Sequence, residues 1–401
     1  MNTNAITLAM NAPLVSFRGL SNERVPQNLQ GASSMLTLAL LAFHDESTES
    51  TRRKLLAHIR SMISSGNEPC IDCTNNWVYP IVTSAIALAK QSSSVWSQLS
   101  EEEIDKLDLI MTLFTIICNY INNDANSYTT GLGRKGDVNK NFSPNFRWSL
   151  LGPMIACSSY FGGEDAIDTL LTTFDYDALM EKVRAYNFCN ILAVWGLSEM
   201  QYGDYTLPSS KDLIELPGRA YIRDDNFTNV YAAGSGQGAK IPFLYKGFRA
   251  NVNDLLNQLL EFSYSGGKVT SHSADRGNGS YLAHTLNGEV SPLEGQDGMM
   301  REFNTIDGPG ERLRSDAWYC MLDFQMMLGL LAIGKFTSHW SEDENAELYK
   351  KVRVGTSDLM YKLGVGYMGY SLGRNRVIKE NNITGYTMLK NCWLAYFAPK
   401  A

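Results

Sequence analysis

Apolar positions along the chain fall into two alternating kinds of segment. Segments 31–44, 75–90, 144–161, 188–200, 316–333 and 385–397 are apolar almost all round. Segments 51–64, 100–123, 164–186, 252–264 and 343–363 carry a one-sided pattern. In 51–64, Leu55, Leu56, Ile59, Met62 and Ile63 share one side. Segment 100–123 opens on Ser100 with Glu103 three residues later, the pattern of a capping box at a helix start. Helical spacing of the apolar positions predicts helices throughout. A helix that is apolar on every side has to be buried on every side, whereas a one-sided helix can face water.

That alternation predicts inner and outer helices, and so an all-α fold. The expected architecture is an (α/α)n toroid or barrel of about six or seven helical hairpins, with long loops on one face. It forms a single domain over residues 1–401. No fixed-period repeat is visible, which argues against a short-repeat solenoid. The pattern breaks at about 205–248, where β-branched and aromatic residues between turn signals predict a small β-hairpin insertion. The "GSGQG" of this stretch follows no clear strand and opens no clear helix, so it reads as a turn and not a phosphate loop.

Composition narrows the partners. The chain is 44% hydrophobic and 19% charged, with a net charge of -7. Its cations form no block, which argues against nucleic acid and against an acidic membrane surface. The longest apolar runs are too short to span a bilayer. The opening MNTNAITLAMNAPL does not read as a secretory signal. Of the seven cysteines, Cys118, Cys157, Cys189, Cys320 and Cys392 sit in apolar runs and are expected as buried thiols. Cys70 and Cys73 form one CxxC without a second pair, which reads as a disulfide or two inert thiols in preference to zinc. No cofactor and no metal site are expected.

Candidate chemistry gathers where inner helices begin. "TNNWVYP" supplies Asn75, Asn76, Trp77 and Tyr79. "NFSPNFRWS" supplies Asn145, Arg147 and Trp148. "RAYNFCN" supplies Asn187 and Asn190, "ERLRSDAWY" supplies Arg312, Arg314, Asp316, Trp318 and Tyr319, and "NNITGYTMLKNCW" supplies Tyr386 and Asn391. Aromatic rings stack on sugar faces, amides bond hydroxyls, and arginine grips a carboxylate as a fork. Parallel inner helices would gather these groups at one end, where free N–H groups favour anions. Each position has a plainer reading as a helix cap or a core aromatic. The long loop 266–314 adds His272, Arg276, Tyr281, His284, Glu294, Gln296, Asp297 and Glu302 among several glycines.

"SPLEGQDGMMREFN…RSDAWYCMLDF", with the "NNW" and "NFRW" helix starts, resembles the helical-toroid polysaccharide lyases, and most closely polysaccharide lyase family 38. That resemblance implies β-elimination on a uronic-acid polysaccharide such as alginate or glucuronan. It also implies a secreted or periplasmic location if a signal has been removed. The reaction needs the C6 carboxylate neutralised, a base for the C5 proton and an acid for the leaving O4. Mapped onto this chain, Tyr319 is the acid or acid/base, with Arg314 nearby. His272 is the base or carboxylate partner, and Tyr281 is the alternative tyrosine. Arg276, Asn145 and Arg147 grip the carboxylate, while Gln296 and Asp297 bond sugar hydroxyls or brace the loop. Two other readings stand beside this one. One is a glycoside hydrolase using carboxylates among Asp297, Glu302 and Asp316. The other is a non-catalytic carbohydrate-binding protein.

Overall fold

The computed structural model describes residues 1–15, 25–64, 78–123, 144–186, 215–217, 240–242, 247–250, 252, 264–265, 268–269 and 380–396. The fold is all-α. Among the described residues its helices in chain order are α1 (Thr3–Asn11), α2 (Val25–Phe43), α3 (Glu49–Met62), α4 (Tyr79–Gln91), α5 (Ser93–Trp96), α6 (Glu101–Asn123), α7 (Pro144–Phe161), α8 (Glu164–Thr173), α9 (Tyr176–Ala185) and α10 (Glu380–Tyr396). Two short ladders accompany them. Strand β1 (Glu215–Pro217) pairs antiparallel with β2 (Lys240–Pro242), with Leu216 opposite Ile241. Strand β3 (Tyr264–Ser265) turns back on β4 (Lys268–Val269). The first ladder joins positions 215–217 to 240–242, within the stretch where the helical pattern breaks. Expected helices at 188–200, 316–333 and 343–363 lie outside the described residues.

Local chemistry sets the helix starts. The Asn2 side chain accepts the Ala5 N–H at 3.1 Å and caps α1. Thr48 and Thr51 cap α3 reciprocally, at 3.2 and 2.8 Å. The predicted capping box of α6 is formed: the Glu103 N–H reaches Ser100 Oγ at 3.2 Å, and the Ser100 N–H reaches Glu103 Oε2 at 2.9 Å. The predicted amphipathic segment 164–186 is two helices and not one. Asp175 stops the first and caps the second, accepting the Ala178 N–H at 3.1 Å. An aspartate between two helical runs satisfies the free N–H groups of a new helix better than it continues the old one.

Burial follows the predicted faces. Every residue of α4 from Tyr79 to Ala89 is buried, as the all-round apolar pattern requires. In α3, the predicted Leu55, Leu56, Ile59, Met62 and Ile63 are all buried. Polar residues inside these helices fold back on their own backbone. Thr83 Oγ1 donates to the Tyr79 carbonyl at 2.6 Å, Thr37 to Ser33 at 2.7 Å and Thr115 to Met111 at 2.8 Å. This local satisfaction lets small polar residues sit in a core without distant partners. Cys118, Cys157 and Cys392 are buried free thiols, as expected.

Two parallel seams organise the packing. In the first, Leu29 and Gln30 of α2 lie against Gly385 of α10, and Thr37 Oγ1 meets Cys392 Sγ at 3.2 Å. His44, just beyond α2, stacks on Tyr396 with centroids 4.3 Å apart. Positions rise together along both helices, so α2 and α10 run parallel. In the second, Pro80 of α4 meets Gly152 of α7, and Gln91 Nε2 donates to Ser159 Oγ at 3.0 Å. The same logic makes α4 and α7 parallel. Helix α6 runs antiparallel to α7, because Asp108 pairs with Tyr160 and the Met111 carbonyl with Cys157. A turn at Gly162 and Gly163, with φ of 102° and 127°, reverses the chain into α8. Only glycine adopts such angles without strain. Segment 247–250 docks on α8: the Phe248 N–H bonds Asp168 at 2.9 Å and Arg249 forks onto Glu164 at 3.0 Å.

Candidate functional site

Of the sequence-predicted site residues, Asn145, Arg147 and Trp148 lie in the first two turns of α7. Pro144 opens that helix, a position where its missing N–H costs nothing. Positions 145, 148 and 152 are spaced by three and four residues, so they fall on one stripe of the helix backbone. At Gly152 this stripe meets α4: an added Cβ would lie 2.6 Å from Pro80 Cβ. Pro80 is in the first turn of α4, so the start of α7 extends beyond the start of α4. The overhang is about 10 Å, seven residues at the helical rise. The first turn of α4 has Val78 at its cap with no side-chain cap bond. The plainer reading of Asn75 as the cap of this helix is therefore corrected.

Asn75, Asn76 and Trp77 immediately precede Val78 in sequence but lie outside the described residues. So do Asn187, Asn190, His272, Arg276, Tyr281, His284, Glu294, Gln296, Asp297, Glu302, Arg312, Arg314, Asp316, Trp318 and Tyr319. Two residues from the predicted helix starts take structural places. Tyr79 is buried, its ring edge-on to Phe114 at 5.2 Å. Asn391 bonds the Thr387 carbonyl of its own helix at 2.8 Å and accepts from Asn2 at 3.2 Å, tying α10 to α1. Tyr386 lies in α10.

Three described tyrosines are held by carboxylates. The Tyr160 hydroxyl donates to Asp108 at 2.5 Å, Tyr186 to Asp105 at 2.5 Å and Tyr396 to Glu46 at 2.7 Å. Burial, and then the Asp108 and Glu46 partners, drive Tyr160 and Tyr396 well above the ordinary tyrosine range. Its bond to Asp105 pushes Tyr186 up to about 12. A tyrosine that shuttles a proton near neutrality needs the opposite setting, a nearby positive charge that favours the phenolate. These three are structural anchors.

Both described histidines are structural as well. His44 stacks on Tyr396, and burial lowers its pKa. His58 is buried, with Nδ1 accepting the Val15 N–H at 3.1 Å. Its proton therefore sits on Nε2, which faces Ser34 Oγ at 2.9 Å. Ser34 in turn donates to the Ala9 carbonyl at 2.7 Å. Burial drives the His58 pKa down to about 3. A Ser–His pair of this kind is no nucleophile dyad, because the imidazole nitrogen facing the serine already carries a proton. The relay ties α1, the segment at Val15, α2 and α3 together. Sequence pattern missed it, since His58 sits one residue off the apolar stripe of α3. Among the described residues, no group of three His, Cys, Asp or Glu could hold a metal ion. None of their helices is long and apolar enough to cross a membrane.

Comparison with known proteins places the chain near one class of enzyme. No family model matches it, and no solved structure matches it. It is 25% identical over 349 residues to a gellan lyase of a Bacillus species, an alignment that covers 85% of this chain. The chain spans only 13% of that relative's own length.

Proposed function

We propose that this chain is a polysaccharide lyase that cleaves a uronic-acid-containing polysaccharide by β-elimination. The observation that carries the reading is the likeness to gellan lyase along 85% of the chain. The all-α fold with buried inner helices supports it, as does the pair of parallel helices α4 and α7 with their starts at one end. In this reading α2, α4, α7 and α10 belong to the inner ring of an (α/α) toroid, and the cleft lies over the starts of α4 and α7. Gellan, alginate and glucuronan are the polymers to try first.

The chemistry divides among this chain's own residues. Arg147, Asn145 and Arg276 grip the C6 carboxylate of the uronate. Charge neutralised there lets the C5 proton leave as negative charge develops on the adjoining carboxylate. His272 or a tyrosine takes that proton, the C4–O4 bond breaks with its electron pair going to oxygen, and Tyr319 protonates the leaving O4. The product end carries a C4–C5 double bond conjugated with the carboxylate. Arg314 keeps the Tyr319 phenol poised to exchange its proton. Tyr281 is the alternative proton carrier. Asn75, Asn76, Trp77 and Trp148 stack on and bond the sugars, and Gln296 and Asp297 bond hydroxyls from the loop. The carboxylate-bound Tyr160, Tyr186 and Tyr396 are unsuited to this work, which leaves the proton transfer to tyrosines elsewhere in the chain.

The test is ultraviolet absorbance of the new double bond during incubation with each polymer. A rise with at least one polyuronate is expected. New reducing ends without absorbance would show hydrolysis, and binding without new ends would show a carbohydrate-binding protein. Replacing Tyr319 with Phe keeps the shape and removes the proton. A rate loss of at least about a hundredfold is expected for a proton-transfer group, and an unchanged rate would remove Tyr319 from the mechanism.

A further inference from the structure

At the end of α4 and α7 far from their starts, the ammonium of Lys90 sits over three aromatic rings. It lies 3.7 Å from the centre of Tyr160, 5.8 Å from Trp96 and 5.9 Å from Phe161. Tyr160 is buried, while Trp96, Phe161 and Lys90 itself are half-buried. The rim is polar and open: Gln91, Ser93, Ser94 and Ser97 are exposed. Asp108 is the anion that faces Lys90 from α6, but its carboxylate is taken by the Tyr160 hydroxyl at 2.5 Å. No carboxylate among the described residues lies within ion-pair distance of Lys90. The ammonium is thus held on its inner side by ring faces and by the field of Asp108, without a direct ion pair. A cation of this kind keeps N–H donors to offer an outside acceptor.

We infer that Lys90, Trp96 and Phe161 form a second binding subsite for an acidic sugar, remote from the cleft. Lys90 meets the sugar carboxylate, the half-buried indole and phenyl rings give an apolar floor, and the exposed Ser93, Ser94 and Ser97 bond hydroxyls. This rests on the polysaccharide reading above. The subsite stands about 15 Å from Pro80, ten residues along α4 at the helical rise. It would hold a long polymer chain on the enzyme between cleavage events, without touching the reacting atoms.

Affinity electrophoresis through gels containing gellan, alginate or glucuronan tests it, with a neutral polysaccharide gel as control. Lys90→Gln and Trp96→Ala should each weaken retention by the acidic polymer by about three- to tenfold, the range that loss of one cation or one stacking ring implies. Retention in the neutral gel should not move, and added salt should narrow the gap for Lys90→Gln. Thermal unfolding of each variant checks folding; because Trp96 also packs against Tyr160, Lys90→Gln stands as the decisive variant if Trp96→Ala unfolds. Wild-type retention in both Lys90→Gln and a folded Trp96→Ala overturns the subsite, as does a wild-type chain that no acidic polymer retains. The two readings separate cleanly. Polymer retention that depends on Lys90 without ultraviolet product sinks the lyase and leaves the subsite, while ultraviolet product with Lys90-independent retention does the reverse.

Discussion

The two parallel seams of the fold are fastened differently. The α2–α10 seam has polar ties midway and at the end where both helices finish. Thr37 meets Cys392 at 3.2 Å midway, and toward the start Gly385 packs on Leu29 and Gln30; Ser34 and His58 bind α2 to α1 and α3 and not to α10. At the finishing end, Tyr396 reaches Glu46 beyond α2 at 2.7 Å. The α4–α7 seam has its polar ties at the end where both helices finish, with Gln91 on Ser159 and Tyr160 on Asp108. Toward its start the contact is Pro80 against Gly152, carbon on carbon. Side chains that do chemistry cannot also be spent on tying helices together. Asn145, Arg147 and Trp148 lie in the turns of α7 that overhang this contact.

The largest effect should come from spoiling that carbon contact. Gly152→Leu puts a side chain where even a Cβ would stand 2.6 Å from Pro80 Cβ. Overpacking against a rigid ring and backbone should cost about 3 kcal/mol. Denaturant unfolding would register it as a lower midpoint, and an unchanged midpoint would mean that the seam is not closed as described.

The tie of α2 to α1 and α3 should answer to acid. His58 has its pKa in the fold lowered to about 3, from an unfolded value of 6.5. The unfolded chain therefore binds the extra proton between these values and the folded chain does not. Stability from this group is complete above pH 6.5 and drains away as pH falls toward 3, at up to about 1.4 kcal/mol per pH unit. His58→Ala should lower stability at neutral pH by about 2–3 kcal/mol, through the Val15 N–H and Ser34 hydroxyl left without their partner. It should also flatten the acid limb of a melting-temperature profile. An acid limb as steep as the parent's would assign acid sensitivity to other groups.

The smallest effect belongs to the polar tie at the end of the α2–α10 seam. Tyr396→Phe removes one hydroxyl from a half-exposed Glu46 and should cost about 1 kcal/mol. A loss of several kcal/mol, read by thermal unfolding, would show that this end carries more of the seam than the packing of α2 on α10 does.

Much of the fold was legible where the information is local. The Ser100–Glu103 box, the span 144–161 of α7 and the buried stripe of α3 needed only spacing and cap chemistry. Errors came from equally local competitors. Asp175 divides the helical segment 164–186 into two, and α2 starts at Val25, ahead of the apolar run at 31. The short return of Lys268–Val269 onto Tyr264–Ser265 falls where the amphipathic segment 252–264 gives way to the long loop. For the candidate site, the sequence marked α7 residues that the fold places beyond the start of α4. It also marked Tyr79 and Asn391, which the fold uses for packing and for an inter-helix tie.

By itself the sequence determined that 51–62, 79–90, 101–123 and 144–161 are helical, that 79–89 must be buried all round, and which residue types suit an acidic sugar. Those follow from periods of a few residues and from the polarity of single side chains. Only the tertiary structure decided that α2 lies beside a helix some 355 positions later in the chain, as Thr37 and Cys392 show. It alone decided that His58 is neutral and inert, and that three tyrosine hydroxyls donate to carboxylates. The reason is physical: burial and charge at a side chain are set by neighbours brought from far along the chain, and no local pattern records who those neighbours are.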